Sequence, residues 1–341
     1  MSVRVVSPVM PHTSSRPAAP ATTRVIAADG VGVHTVEWSA PDAVPGRRVL
    51  LLHGLGAHTL SWEPMAAPLA DRLHARVIAL DFVGFGRTRA PQRTASLETQ
   101  RRVLSALLAE EYGPALLIGN SMGATIGIGV AAAHPETVTG LVLVNPAVPH
   151  PRPGLAEWLR IAWLAPLAVP AVGTGVVAWR ARALGAERLV DTSLQASLTR
   201  AHELDPDLRR RMVELTAERL TWPEAPAAYA AAARSLVSYL ARGVHRDLRR
   251  AAALRPTLLI HGSEDRLVPL EAAKHAARLH PLELAVLEGR GHAPQLEDPG
   301  AVIDVIDEWL GGPRFTDGRM GAWQASSTIP SRGSSPTSAT S

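Results

Sequence analysis

Three short stretches carry side chains whose types and spacing suit nucleophilic chemistry. The first is Gly119-Asn120-Ser121-Met122-Gly123, a G-x-S-x-G pattern. It follows the apolar run Ala115-Leu-Leu-Ile118 and precedes an Ala/Ile-rich run ending at His134. A strand leads in, a tight turn holds one serine, and a helix leads out. A serine on so sharp a turn sits on strained backbone, and only residues without Cβ fit beside it where strand and helix cross. Its hydroxyl is a weak nucleophile that needs a base for its proton and a third group to orient that base. The second stretch, Gly262-Ser263-Glu264-Asp265-Arg266-Leu267-Val268-Pro269, offers two carboxylates, and the third, Gly289-Arg290-Gly291-His292-Ala293-Pro294, offers an imidazole. Taken singly, each has a plainer reading: Ser121 as a small residue at a packed turn, Asp265 as a turn former with Glu264 as the acid, His292 as a structural histidine.

The surrounding elements decide whether these residues can meet. Arg24-Val-Ile-Ala27 and Val31 to Trp38 flank Asp29-Gly30, a hairpin signature. Arg48 to His53, Arg76 to Asp81, Ala115 to Asn120, Val138 to Asn145, Pro256 to His261 and Leu282 to Leu287 read as further strands, several of them continuous apolar runs as in a parallel sheet buried on both faces. Helices are expected over Glu63–Leu73, from Ser96 to Tyr112, after Ser121, over 270–279, and from Asp298, as N-cap, to Gly311. The alternation implies βαβ crossovers and a mostly parallel, doubly wound sheet of eight strands. All parallel strands end on one edge, so the loops carrying Ser121, Asp265 and His292 converge there. The rhythm stops after the sixth strand. Residues 146–254 contain helical runs and proline breaks without a clear strand, and form an insertion, whereas 24–145 and 255–311 form the core. Residues 1–23 and 312–341, rich in Pro, Ser, Thr and Gly, are read as disordered tails.

Composition narrows the chemistry further. With 341 residues, 46% of them hydrophobic, the chain can bury a large core, and its zero cysteines exclude disulfides, thiolate metal sites and a cysteine nucleophile. A formal net charge of +4, spread over this length, carries no nucleic-acid footprint. No metal-ligand spacing is seen among the 13 scattered histidines, and no cofactor is expected. The amino terminus reads as lacking a signal peptide, and the expected location is cytoplasmic. The uncharged run Ile161 to Trp179 approaches a membrane span in length, but Pro166 and Pro170 interrupt it, which favours a buried or lid helix pair.

At this point the chain resembles the α/β-hydrolase superfamily over about residues 24–311. The match rests on His53-Gly54, Asp81-x-x-Gly84-x-Gly86, Gly119-x-Ser121-x-Gly123, Gly262-x-x-Asp265-x-x-Val268-Pro269 and Gly291-His292, in that order. The resemblance implies Ser121 as nucleophile, His292 as general base and then acid, and Asp265 as the carboxylate holding the imidazole. It implies an oxyanion hole from the backbone N–H groups of Leu55 and Met122, and a helical cap at 146–254. His53 is expected to hold the oxyanion loop, and Asp81 to brace its own loop by accepting backbone N–H groups. Gly-Asn-Ser-Met-Gly is similar to a form seen in meta-cleavage-product hydrolases, which split carbon–carbon bonds. This chain departs from them in having Leu55-Gly56-Ala57-His58 after His53-Gly54 and Ala293-Pro294 after His292. The leading expectation is hydrolysis of small or lipid-like apolar esters, with Asn120 and the cap residue Trp163 at the substrate pocket. Carbon–carbon hydrolysis and a non-catalytic receptor on the same fold are the alternatives. Trp158, Trp163 and Trp179 with Arg160 and Arg180 would also suit a weak membrane-surface contact through the cap.

Overall fold

A computed structural model describes residues 3–6, 21–89, 92–149, 169–280 and 282–312. Nine strands form one sheet: β1 (Val3–Val6), β2 (Thr22–Ala28), β3 (Val31–Ser39), β4 (Arg48–Leu52), β5 (Arg76–Leu80), β6 (Ala115–Asn120), β7 (Val138–Val144), β8 (Thr257–Gly262) and β9 (Glu283–Leu287). Their spatial order is β1-β9-β8-β7-β6-β4-β5-β3-β2. The β2–β3 hairpin and the β3–β5 pair are antiparallel, and every other pairing is parallel. Asp29 and Gly30 both take positive φ, 47° and 72°, as the tight hairpin turn requires.

The ninth strand corrects the expected count of eight. Val3–Val6 pairs parallel with β9, Val3 opposite Leu284, inside a stretch read as a disordered tail. A four-residue run with three valines is too short to stand out in a Pro/Ser/Thr-rich segment, yet an open sheet edge can recruit it. The end of that tail is also ordered differently from the expectation, since Thr22 and Thr23 open β2 opposite Glu37 and Val36, whereas residues 1–2, 7–20 and 313–341 lie outside the described residues.

Alternating residues of the buried strands feed two cores. Leu50, Leu52, Ile78, Leu80 and Leu117 face one side, where α2 (Leu97–Leu107) and α3 (Met122–Ala133) pack. Val49, Leu51, Val77, Ala79, Leu116 and Ile118 face the other, against α1 (Glu63–Leu73). Ser96 caps α2 by accepting the Thr99 N–H at 3.3 Å. The expected helix end at Tyr112 becomes a wider turn over Leu108–Tyr112.

The insertion follows β7. Its described part holds α4 (Pro170–Ser197), α5 (Pro206–Leu220), α6 (Ala225–Arg242) and α7 (Val244–Leu254). α4 breaks at Gly185, whose φ of 68° and ψ of 174° are not helical. Val190, Leu194, Leu198, Leu208 and Met212 give the insertion a small core of its own, which Ala293 joins from the main domain. α6 and α7 pack on the main core, through Ala232 and Leu236 and through Val244, Leu248 and Ala251. The chain closes with α8 (Leu270–Leu279), the short α9 (Pro294–Glu297) and α10 (Pro299–Leu310), the last capped by Asp298, which accepts the Ala301 N–H at 3.1 Å. Among the described residues, no helix is long and apolar enough to cross a membrane.

Candidate active site

Ser121 stands between β6 and α3 with φ 54° and ψ −113°, a conformation rarely adopted outside glycine. Such a residue stores on the order of 1–3 kcal/mol of strain and persists only if its surroundings over-determine it. They do. The Ser121 N–H donates to Val144 O at 3.0 Å, and the Ser121 carbonyl accepts from Thr125 N–H at 3.2 Å, Thr125 Oγ1 at 3.0 Å and Ala147 N–H at 3.4 Å. The flanking glycines are sterically required. A Cβ on Gly119 would stand 2.4 Å from Ala124 N, and one on Gly123 would stand 2.1 Å from Leu52 O.

Asp265 and His292 arrive on the loops after β8 and β9. His292 Nδ1 lies 2.7 Å from Asp265 Oδ2, and both side chains are buried. The other oxygen, Oδ1, accepts the N–H groups of Leu267 at 2.7 Å and Val268 at 2.9 Å. Burial by itself would raise the Asp265 pKa. The hydrogen bond from His292, the charges of His292 and His261, and the Val268 N–H outweigh it, and the carboxyl sits below its ordinary value. Glu264 is solvent-exposed, so geometry pairs the imidazole with Asp265 rather than with its neighbour.

Asn145 is a site residue that sequence reasoning missed. It is fully buried at the end of β7 with φ 44°. Its amide donates to Asp265 Oδ2 at 2.7 Å and lies 3.2 Å from Gly291 O, while its carbonyl accepts the Gly262 N–H at 3.3 Å. It therefore joins the acid loop to the histidine loop. The available signal was a polar residue closing an apolar strand, of a type that tolerates left-handed backbone.

Asn120, expected at the substrate pocket, is placed differently. It is 5% exposed, and its amide nitrogen serves Val144 O at 3.2 Å and His292 O at 2.9 Å. A side chain spent on two backbone carbonyls fixes the loop rather than meeting substrate. Trp163 lies outside the described residues.

The loop after His53, expected to supply the oxyanion N–H of Leu55, passes close to the elbow, where a Cβ on Gly54 would stand 3.4 Å from Ser121 Cβ. The next N–H in the chain is that of Leu55, and the N–H of Met122 opens α3, where the helix dipole favours negative charge. His53 fastens this loop to the next. Phe82 N–H donates to its Nε2 at 3.0 Å, which puts the ring proton on Nδ1, 2.8 Å from Gly54 O. Burial, only partly opposed by the Asp81 charge, pushes the His53 pKa down to about 4, so the ring is neutral near pH 7. Asp81 accepts the N–H groups of Thr59 at 2.8 Å and Arg87 at 2.9 Å, the bracing pattern expected of it.

The cap supplies a roof that the sequence did not reveal. Tyr229 of α6 lies against Gly56, where a Cβ would stand 3.0 Å from its ring, and its ring centroid is 6.5 Å from that of Phe85. Ala228 covers Gly84 in the same way, at 2.6 Å. Arg219 of α5 donates to Gly84 O at 2.7 Å and lies over the Phe85 ring. A strained serine and a carboxylate-held imidazole on one sheet edge, with backbone N–H groups beside them, can together perform acyl transfer.

A profile of proteins with the alpha/beta hydrolase fold matches residues 47–299. The chain is 29% identical over 243 residues, 70% of its length and 79% of the other's, to a 2-hydroxy-6-oxo-2,4-heptadienoate hydrolase of Pseudomonas putida. It is 31% identical over 236 residues, 65% of its length and 83% of the other's, to a pimeloyl-(acyl-carrier protein) methyl ester esterase of Aromatoleum aromaticum. Among solved structures, a meta-cleavage product hydrolase from Pseudomonas fluorescens matches with a TM-score of 0.63 at 22% identity, covering 85% of this chain and 97% of the other, a likeness of fold alone.

Proposed function

Because the chain belongs to the α/β-hydrolase fold family and is a hydrolase, we propose that it cleaves carboxylic esters of small or lipid-like apolar substrates through an acyl-enzyme on Ser121. The observation that carries this reading is the 2.7 Å contact between His292 Nδ1 and Asp265 Oδ2 on the same sheet edge as the strained serine. With Nδ1 committed to the carboxylate, Nε2 of His292 is the nitrogen left to take a proton. Ser121 Oγ attacks the ester carbonyl carbon, and its proton passes to His292. The oxygen that becomes an oxyanion receives the N–H groups of Leu55 and Met122. Collapse of the intermediate breaks the bond to the alcohol, which leaves with the proton from His292, and water then repeats the sequence on the acyl group. Asp265 stays ionised throughout and balances the imidazolium.

Carbon–carbon hydrolysis is the second reading, favoured by the 2-hydroxy-6-oxo-2,4-heptadienoate hydrolase to which the chain is similar. The deciding experiment offers the purified chain p-nitrophenyl esters of graded acyl length and, in parallel, a 2-hydroxy-6-oxo-dienoate, with Ser121→Ala as control. Turnover of esters alone supports the first reading, and turnover of the dienoate at a higher kcat/KM replaces it with the second. A membrane-surface contact through the cap belongs to the same proposal. Its support is that Val169, Val172, Val176 and Trp179, spaced for one helix face, are 52%, 50%, 39% and 69% exposed.

A further inference from the structure

The loop carrying His292 is held by the cap as well as by the sheet. His292 N–H donates to Ser197 O at 2.7 Å and Ala293 N–H to the same oxygen at 3.2 Å. A Cβ on Gly291 would stand 2.6 Å from that oxygen, so nothing larger than glycine lets the cap approach so closely. One side chain completes the junction. Oε1 of Glu297 accepts the N–H of Thr199 at 2.5 Å, the N–H of Arg200 at 3.2 Å and the hydroxyl of Thr199 at 2.6 Å. Its Oε2 accepts the N–H of Gly291, the residue before His292, at 2.6 Å. The Thr199 hydroxyl also lies 3.1 Å from Gly289 O.

We infer that Glu297 is a positioning residue that locks the cap segment Thr199–Arg200 to the His292 loop, so that the seating of the cap and the alignment of the base are one event. The chemistry requires a carboxylate. Every group facing it is a donor, and an ionised carboxylate is the side chain that only accepts. An isosteric amide would turn its NH2 toward one of those donors and open the bridge on one side while keeping the volume. The inference rests on the proposed roles of Ser121 and His292, and its test separates the two.

The test is the pH-dependent rate at which a fluorophosphonate labels Ser121, read beside kcat and KM for a short ester. In labelling, the serine oxygen bonds to phosphorus, fluoride leaves, and the serine proton passes to His292, so the rate reports the base whether or not esters are the substrate. A wild-type chain that is not labelled overturns the nucleophile reading itself. If wild type is labelled, Glu297→Gln should label about 10–100-fold more slowly across the pH range, the scale on which orienting partners act. Its kcat should fall by the same factor, with KM and the melting temperature little changed. Thr199→Val, which weakens the bridge from the cap side, should show a smaller loss in the same direction, and it decides the matter if Glu297→Gln fails to fold. A change below threefold in the labelling rate of the folded variants, with only the melting temperature lowered, overturns the inference and leaves Glu297 as a structural bond.

Discussion

The sheet edge and the cap reach His292 from opposite sides, and they are built by different physics. On the sheet side the supports are fully buried: β6 and β8 have no exposed residue, and Asn145, Asp265 and the Ser121 carbonyl are tied into main-chain hydrogen bonds. On the cap side α4 and α5 share the small core of Val190, Leu194, Leu208 and Met212, and Arg209 adds pairs with Asp191 at 2.8 Å and Glu187 at 3.0 Å that are a third or more exposed and therefore worth little each. The cap grips the main domain at chosen places, at Ser197, Thr199 and Glu297 on the histidine loop, and at Tyr229 and Ala228 on the glycine loops. On the proposed mechanism the chemistry sits on the half with the more deeply buried supports.

The sharpest break in this comparison is Ser121→Ala. If all chemistry belongs to the sheet edge, this change should lower ester turnover by on the order of 10⁴–10⁶. The cap should remain seated, and circular dichroism and the melting temperature should hold, because alanine keeps the Cβ and with it the same backbone constraint. Activity within tenfold of wild type would remove Ser121 from the mechanism.

Next in size is the pair Asp265→Asn and Glu264→Gln. An amide can occupy the place of Asp265, yet it cannot balance an imidazolium, and a loss of about 10⁴ in kcat is expected. Glu264 is exposed, so its change should stay within a few-fold. A larger effect at Glu264 would move the acid by one position and contradict the 2.7 Å contact at Asp265.

Sequence made these residues legible because each lies in a local pattern whose steric reason is local. Gly119 and Gly123 are forced by neighbours at the elbow itself, and Asp29-Gly30 by its own turn. The residues that were missed or misplaced answer to partners far away in the chain. Asn145 meets Asp265 across 120 positions, Asn120 meets His292 across 172, and Thr199 meets Glu297 across 98. No spacing rule encodes such meetings, which follow only once the sheet order is set. β1 escaped for a related reason: its partner, β9, lies at the other end of the chain.

The sheet side should also be the acid-sensitive side. His53 and His58 are buried there, and burial pushes both pKa values down to about 4 from an ordinary 6.5. Above pH 6.5 both rings are neutral in folded and unfolded chains alike. As the pH falls from 6.5 to 4 only the unfolded chain takes up the protons, so stability is lost through that window and the loss is complete below it. Each ring accounts for on the order of 3 kcal/mol. Urea midpoints measured from pH 7 to pH 4.5 should fall, and His58→Gln should flatten part of the fall, the remainder belonging to His53, to His280, also pushed down to about 4 by burial, and to His245 and His261, lowered in the same direction. An unchanged slope would mean that other groups govern the acid limb.

The smallest effect is expected at the outer face of the cap, where the comparison predicts a change in binding without a change in chemistry. Trp179 is 69% exposed, and Val172 and Val176 share its helix face at 50% and 39%. If this face settles on a lipid surface, Trp179 transfers apolar area out of water while its indole N–H stays at the interface. At ~1 kcal/mol for a partly buried ring, Trp179→Ala should weaken co-sedimentation with vesicles of mixed zwitterionic and anionic lipid by about fivefold. The same variant should keep its kcat toward a short soluble ester, because nothing at the sheet edge depends on it. Equal sedimentation of variant and wild type would refute the lipid contact. A loss of kcat toward the soluble ester would show instead that the outer face of α4 is coupled to the site, and that the division between sheet and cap is drawn in the wrong place.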